Sequence, residues 1–152
     1  MKKNKNFYPQ PKAPEMKEIE NLYKSKQFDV LIAKTKKLIA KFPNVPILFN
    51  ILGIGLQKKN NLDEAIKNFS KAIELKSDFD HAYNNLGNAL RHFGKFKESI
   101  SNFKQAIKIN PNYAEAYNNQ GLALRDLREL DEAVLSFNQA IKINPNYAEA
   151  YS

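Results

Sequence analysis

Cysteine and tryptophan are absent from the 152-residue chain, and glycine occurs only five times. Without cysteine there is no disulfide framework, no thiolate-ligated zinc or iron–sulfur cluster and no thiol nucleophile. Five glycines are too few to supply both a phosphate-cradling loop and the tight turns of a β-protein. The two histidines, His81 and His92, fall on different helical faces with no carboxylate or cysteine at ligand spacing, so no metal and no cofactor are expected. No Ser-His-Asp order is present, and Asp63-Glu64 and Asp131-Glu132 read as charges that open helices rather than as acid–base pairs. Catalysis by these residues is not expected. No apolar run approaches the roughly 18 residues of a membrane span. The Met-Lys-Lys-Asn-Lys start leads into Phe7, Tyr8, Pro9 and Gln10 rather than an apolar signal core. A membrane is therefore not an expected partner, and the cytoplasm is the expected location.

The chain does hold charge and apolar residues in ordinary globular proportion, 26% and 43%. The net charge of +8 raises nucleic acid as a partner, but its distribution argues against that. Residues 1–45 carry 11 lysines against 4 acids, whereas residues 114–152 carry 3 basic residues against 6 acids. Basicity is an end effect, and nucleic-acid binding survives only as an alternative routed through the N-terminal lysines.

Gln105 to Tyr117, QAIKINPNYAEAY, recurs without change as Gln139 to Tyr151, at an offset of 34. Identity of that length at a fixed period marks a stacked helix-turn-helix repeat. The frame extends backwards. Copies at 46–79, 80–113 and 114–147 align Ala65/Ser99/Ala133, Phe69/Phe103/Phe137 and Ala72/Ala106/Ala140 on one face of a second helix. Phe49/Tyr83/Tyr117, Leu52/Leu86/Gln120, Gly53/Gly87/Gly121 and Leu56/Leu90/Leu124 form one face of a first helix. A glycine inside a helix costs about 1 kcal/mol relative to alanine, so its return at one place implies close approach by the second helix, with Ala65, Ala72, Ala133 and Ala140 as the small residues facing it. Asn110-Pro111 and Asn144-Pro145 end the second helices.

The aromatic, Leu-Gly and Leu of the first helix, the Ala, Phe and Ala of the second, and the junction proline resemble the tetratricopeptide repeat. The resemblance implies an all-α, right-handed solenoid of antiparallel pairs near 13–25 and 28–41, 46–59 and 62–75, 80–93 and 96–109, and 114–127 and 130–143. Residues 12–45 are read as a divergent first repeat, with Ile19 facing Leu31 where other copies place glycine against a small residue, so its first helix should be short or tilted. Residues 1–11 are read as a disordered basic lead-in. Residues 148–152 open a further, truncated repeat, which leaves Val134, Phe137 and Ile141 expected at an uncovered face.

In that family the first helices line the inner face of the superhelix. By resemblance the groove residues are Asn50, Gln57, Asn84, Asn85, Asn88, Arg91, Asn118, Asn119 and Arg125. Asparagine carries both a donor and an acceptor and can pair with an extended backbone. The asparagines resemble those of bacterial O-GlcNAc transferase-like or sulfotransferase-fused arrays. Alanine at Asn85 and Asn119 is then expected to leave folding intact and to weaken binding. The places of the carboxylate clamp hold Asn50, Ile54, Asn85, Leu122 and Asp126, so that mode is not expected. The expected function is a non-catalytic scaffold that holds an extended peptide or a partner helix, with self-association through helix 130–143 as a further outlet. The alternative is the N-terminal substrate-targeting part of a longer enzyme, a glycosyltransferase or sulfotransferase.

Overall fold

A computed structural model describes residues 8–147. Among them are eight α-helices and no strand: α1 (Ala13–Lys24), α2 (Phe28–Lys41), α3 (Pro46–Lys58), α4 (Leu62–Leu75), α5 (Asp80–His92), α6 (Phe96–Ile109), α7 (Ala114–Asp126) and α8 (Leu130–Ile143). Each helix packs on the next, and α3 touches α5 as α5 touches α7, which makes a solenoid of antiparallel pairs. The helices expected from sequence match to within a residue at each end. Residues 1–7, most of the expected lead-in, and residues 148–152 lie outside the described residues.

The turns inside the pairs share a device. Lys26, Asn60, Gly94 and Arg128 stand at the 34-residue period and have φ of 58°, 61°, 85° and 66°. Each follows a first helix in the left-handed conformation, which lets two backbone N–H groups turn back to otherwise orphaned carbonyls. Gln27, Asn61, Lys95 and Glu129 donate to the carbonyls of Leu22, Leu56, Leu90 and Leu124, at 3.0, 2.9, 2.9 and 2.9 Å. The left-handed residues themselves donate to Tyr23, Gln57, Arg91 and Arg125. Only one of the four is glycine, so the repeat tolerates strain at three turns. The divergent first pair keeps this turn although its packing residues differ.

Packing inside a pair rests on a ring over a glycine. A Cβ added at Gly53 would lie 2.6 Å from Phe69 Cε1, at Gly87 2.7 Å from Phe103 Cε1 and at Gly121 2.6 Å from Phe137 Cε1. No real side chain fits at those distances. The partner of the glycine is thus the phenylalanine ring, which corrects the expectation that alanines face it. Phe69 and Phe103 are wholly buried. Ser99, in the place of an alanine, donates its hydroxyl to the Gly87 carbonyl at 2.7 Å. Gln120, in the place of a leucine, accepts from the Ser136 hydroxyl at 3.2 Å.

In the first pair, large and small exchange places. Ile19 occupies the glycine register and Thr35 the phenylalanine register; both are buried, and the Thr35 hydroxyl donates to the Leu31 carbonyl at 2.7 Å. α1 spans 12 residues and each later first helix 13. At the other end Leu130, Val134, Leu135 and Ile141 of α8 are exposed. Phe137 is half-buried rather than uncovered, because its ring sits on Gly121.

Two outcomes follow from this packing. Gly87→Ala should lower stability by about 1–3 kcal/mol, because overpacking against Phe103 exceeds the gain of about 1 kcal/mol in helix propensity. Phe103→Leu in the same chain should restore part of the loss in a urea-melt double-mutant cycle, and full additivity would refute the seat. Arg128→Gly should instead raise stability by about 0.5–1 kcal/mol, since relief of left-handed strain outweighs the added freedom of the unfolded chain. A thermal melt that falls for Arg128→Gly would show that the turn carries no strain.

Candidate ligand-binding groove

The first helices present an asparagine at the same register in α3, α5 and α7, namely Asn50, Asn84 and Asn118, and a second asparagine follows in α5 and α7, Asn85 and Asn119. Stacking brings the second amide of one helix to the first amide of the helix before it. Asn85 Nδ2 donates to Asn50 Oδ1 at 3.0 Å, and Asn119 Nδ2 donates to Asn84 Oδ1 at 3.1 Å. Asn84 is only 1% exposed and its own amide donates to Glu115 Oε1 at 3.2 Å and Tyr113 Oη at 3.3 Å.

Tyr113 joins the network from the other side, its hydroxyl 2.7 Å from His81 Nδ1. Burial, with Glu115 and Asp80 nearby, pushes its phenol well above the ordinary range, so the hydroxyl keeps its proton. The His81 ring nitrogen and the Tyr113 hydroxyl thus form one hydrogen bond whose donor is set by the imidazole tautomer. Further along, Arg91 Nε pairs with Asp126 Oδ2 at 2.7 Å, and Arg125 leans on the same carboxylate at 3.8 Å.

The nine residues read from sequence thus divide. Asn50, Asn84, Asn118 and Asn119 are buried. The first two and Asn119 take part in the amide contacts between successive pairs. Arg91 is held by Asp126. Gln57, Asn85 and Asn88 are half-buried and Arg125 is exposed. Gln57, Asn85 and Asn88 come together with Tyr23, Ile54, Lys58, His92 and Glu115 around a groove of about 660 Å³.

A second, apolar stretch adjoins it. Between α1 and α3 a cavity of about 480 Å³ is lined by Met16, Ile19, Tyr23, Ile47, Ile51 and Ile54, with Lys17 and Glu20 at its rim. Tyr23 and Ile54 border both spaces, so the two adjoin along this face. Tyr23 and Ile47 are 46% and 45% exposed, a large apolar surface for side chains not in a core. At the rim Lys24, by hydrogen bond, and then Lys17, by its charge, hold the Glu20 carboxyl below its ordinary range. Sequence reasoning missed this stretch. Its signal was present: Ile47, Ile51 and Ile54 stand where α5 has His81, Asn85 and Asn88.

Family models match the chain over residues 56–92 and 87–127, described as TPR repeat, and over 114–147, described as tetratricopeptide repeat. The chain belongs to the tetratricopeptide repeat family. The first pair lies outside the matched residues. Among solved structures, MamA is similar at 24% identity and a TM-score of 0.79, over 89% of this chain and 79% of that one. The first tetratricopeptide domain of Spaghetti (RPAP3), bound to the HSP90 peptide SRMEEVD, is similar at 25% identity and a TM-score of 0.65, over 66% of this chain and 80% of that one. No curated protein matches the chain. No helix among the described residues is long and apolar enough to cross a membrane.

Within these tetratricopeptide repeats the asparagines should separate by burial. Asn84→Ala should cost about 2–3 kcal/mol, because it strands the Asn119 amide in a dry interface. Asn119→Ala should also destabilise, contrary to the expectation from sequence. Asn88→Ala should leave the urea midpoint unchanged or raised, since alanine is the better helix former. Equal midpoints for all three would show that the interlocked amides contribute nothing.

Proposed function

We propose that the chain is a non-catalytic interaction scaffold that holds an extended peptide segment along the face lined by its first helices. One observation carries this reading: two adjoining spaces across α1, α3 and α5, one apolar and the other amide-rich. Tetratricopeptide proteins are in general scaffolds of this kind, and the RPAP3 domain holds a peptide. The carboxylate-clamp places here hold Asn50, Ile54, Asn85, Leu122 and Asp126, and Asp126 already pairs with Arg91. That composition supports recognition of an internal segment rather than a chain terminus.

The groove and the uncovered face of α8 compete as binding surfaces, and substitution separates them. Ile47→Asp should weaken a peptide recovered from a displayed library by about 10-fold or more, the loss for one buried aliphatic side chain. The melting point should stay unchanged, because Ile47 is 45% exposed in the free protein. Val134→Asp on α8 should leave binding intact. Titration calorimetry in which Val134→Asp abolishes binding and Ile47→Asp does not would move the site to α8.

A further inference from the structure

A second surface lies outside the groove, along α8. The earlier repeats show what such a surface takes, because in α4 and α6 the next first helix closes it. Ile66, Phe69 and Ile73 pack with Leu86, Ala89 and Leu90 of α5, and Ile100 and Phe103 pack with Ala123 and Leu124 of α7. Closure leaves Ile100 only 8% exposed, whereas Val134, one period later, is 54% exposed. Ile73 and Ile107 are half-buried where Ile141 is exposed. Much of the surface is the same in both places, since Gln105–Tyr113 and Gln139–Tyr147 are identical. α8 thus presents a second copy of the face on which α7 packs, and Leu135 widens it where the earlier copies have Lys67 and Ser101.

The face dictates its occupant. α3, α5 and α7 each bring a small residue to it, Gly55, Ala89 and Ala123, with a leucine directly after, Leu56, Leu90 and Leu124. A large side chain does not fit there: a Cβ at Gly55 would stand 3.0 Å from Ile32 Cγ1, and Ala89 and Ala123 are wholly buried. Two turns earlier α5 and α7 bring another buried alanine, Ala82 and Ala116. A second copy of this chain, stacked head to tail, would offer α1 instead, with Pro14, Glu18 and Asn21 at the registers of Ala82, Leu86 and Ala89. Such stacking would desolvate Glu18 and Asn21 against Val134 and Ile141, which is costly. We infer that α8 is a second docking surface, independent of the groove, for an amphipathic helix of a partner protein. That helix carries alanine or glycine at two places seven residues apart, the spacing of Ala82 and Ala89, and leucine directly after the second.

Capped peptides of about 18 residues, long enough to form a helix, test this on the full chain by fluorescence anisotropy and circular dichroism. The matched peptide carries the two alanines and the leucine in a background of Glu–Lys pairs. One control moves the leucine to the opposite face, and another replaces the second alanine with leucine. The matched peptide should bind and gain helical signal, with both controls weaker by about 10-fold or more. Val134→Asp and Leu135→Asp should each weaken it by about 10-fold or more, without lowering the melting point, because both positions are exposed in the free protein. Ile47→Asp should leave this binding unchanged. Controls that bind like the matched peptide would overturn the selection for small residues, and with it the inference. Binding removed by Ile47→Asp and not by Val134→Asp would assign the helix to the groove and leave α8 without a role. A concentration-dependent dimer in sedimentation that Val134→Asp dissolves would make a second copy the occupant and overturn the partner helix.

Discussion

The phenylalanine ring seated on a glycine sets the distance at which the two helices of a pair pack, and the groove inherits its geometry from that distance. The seat occurs at Gly53, Gly87 and Gly121 with contacts that agree to within 0.2 Å. Equal pairs stack with equal offsets, so the amides of successive first helices meet at the same register, Asn85 on Asn50 and Asn119 on Asn84. A different interhelical distance in one pair would pull one rung apart, and a buried amide without a partner is expensive. Ring seat and amide rung therefore support each other across levels of the fold.

The periodic residues made the helices and the seat legible, because a helix-interior glycine is costly and its return at a fixed period demands a packing reason. Two features were not legible for opposite reasons. The left-handed turns at Lys26, Asn60 and Arg128 carry no glycine, so only the backbone reveals that one conformation recurs at all four places. The asparagines announced polar contact but not its partner. A solvent-facing amide and a buried rung look alike in sequence, and burial depends on the next pair of helices. Ile47, Ile51 and Ile54 presented the converse difficulty, since apolar residues on a periodic helix read as core. Ile51 and Ile54 do pack against the core, but all three also border the cavity beside α1, the first helix of the pair that lacks the ring seat.

Rungs of this kind contribute specificity of stacking more than affinity. A net hydrogen bond is worth only about 1 kcal/mol, whereas a stranded partner costs the larger desolvation term. Sliding α5 along α3 by one turn would place Asn85 opposite Ile54 or Pro46 and break the rung, so the wrong register is penalised more than the right one is rewarded. The Arg91–Asp126 pair repeats that logic at the far end of α5 and α7, with both side chains largely covered. Polar residues on this face thus hold the surface in shape, and fewer of them than their number implies are free to meet a ligand.

What remains for recognition lies where the repeat departs from its own pattern. With Ile19 at the glycine register and Thr35 at the ring register, the first pair keeps its turn and its buried core but not the seat that would set α1 at the standard distance. The isoleucines of α3 consequently border open space, and Tyr23 stands beside them at the end of α1. Regular pairs close their first helices on one another through amide rungs. The irregular pair has Met16 at the register where a rung would accept, and Ile51 occupies the place where a rung would donate. An apolar opening beside an amide-lined one is the direct result of a single failed repeat contact, and it gives an otherwise uniform face two ends that a ligand can tell apart.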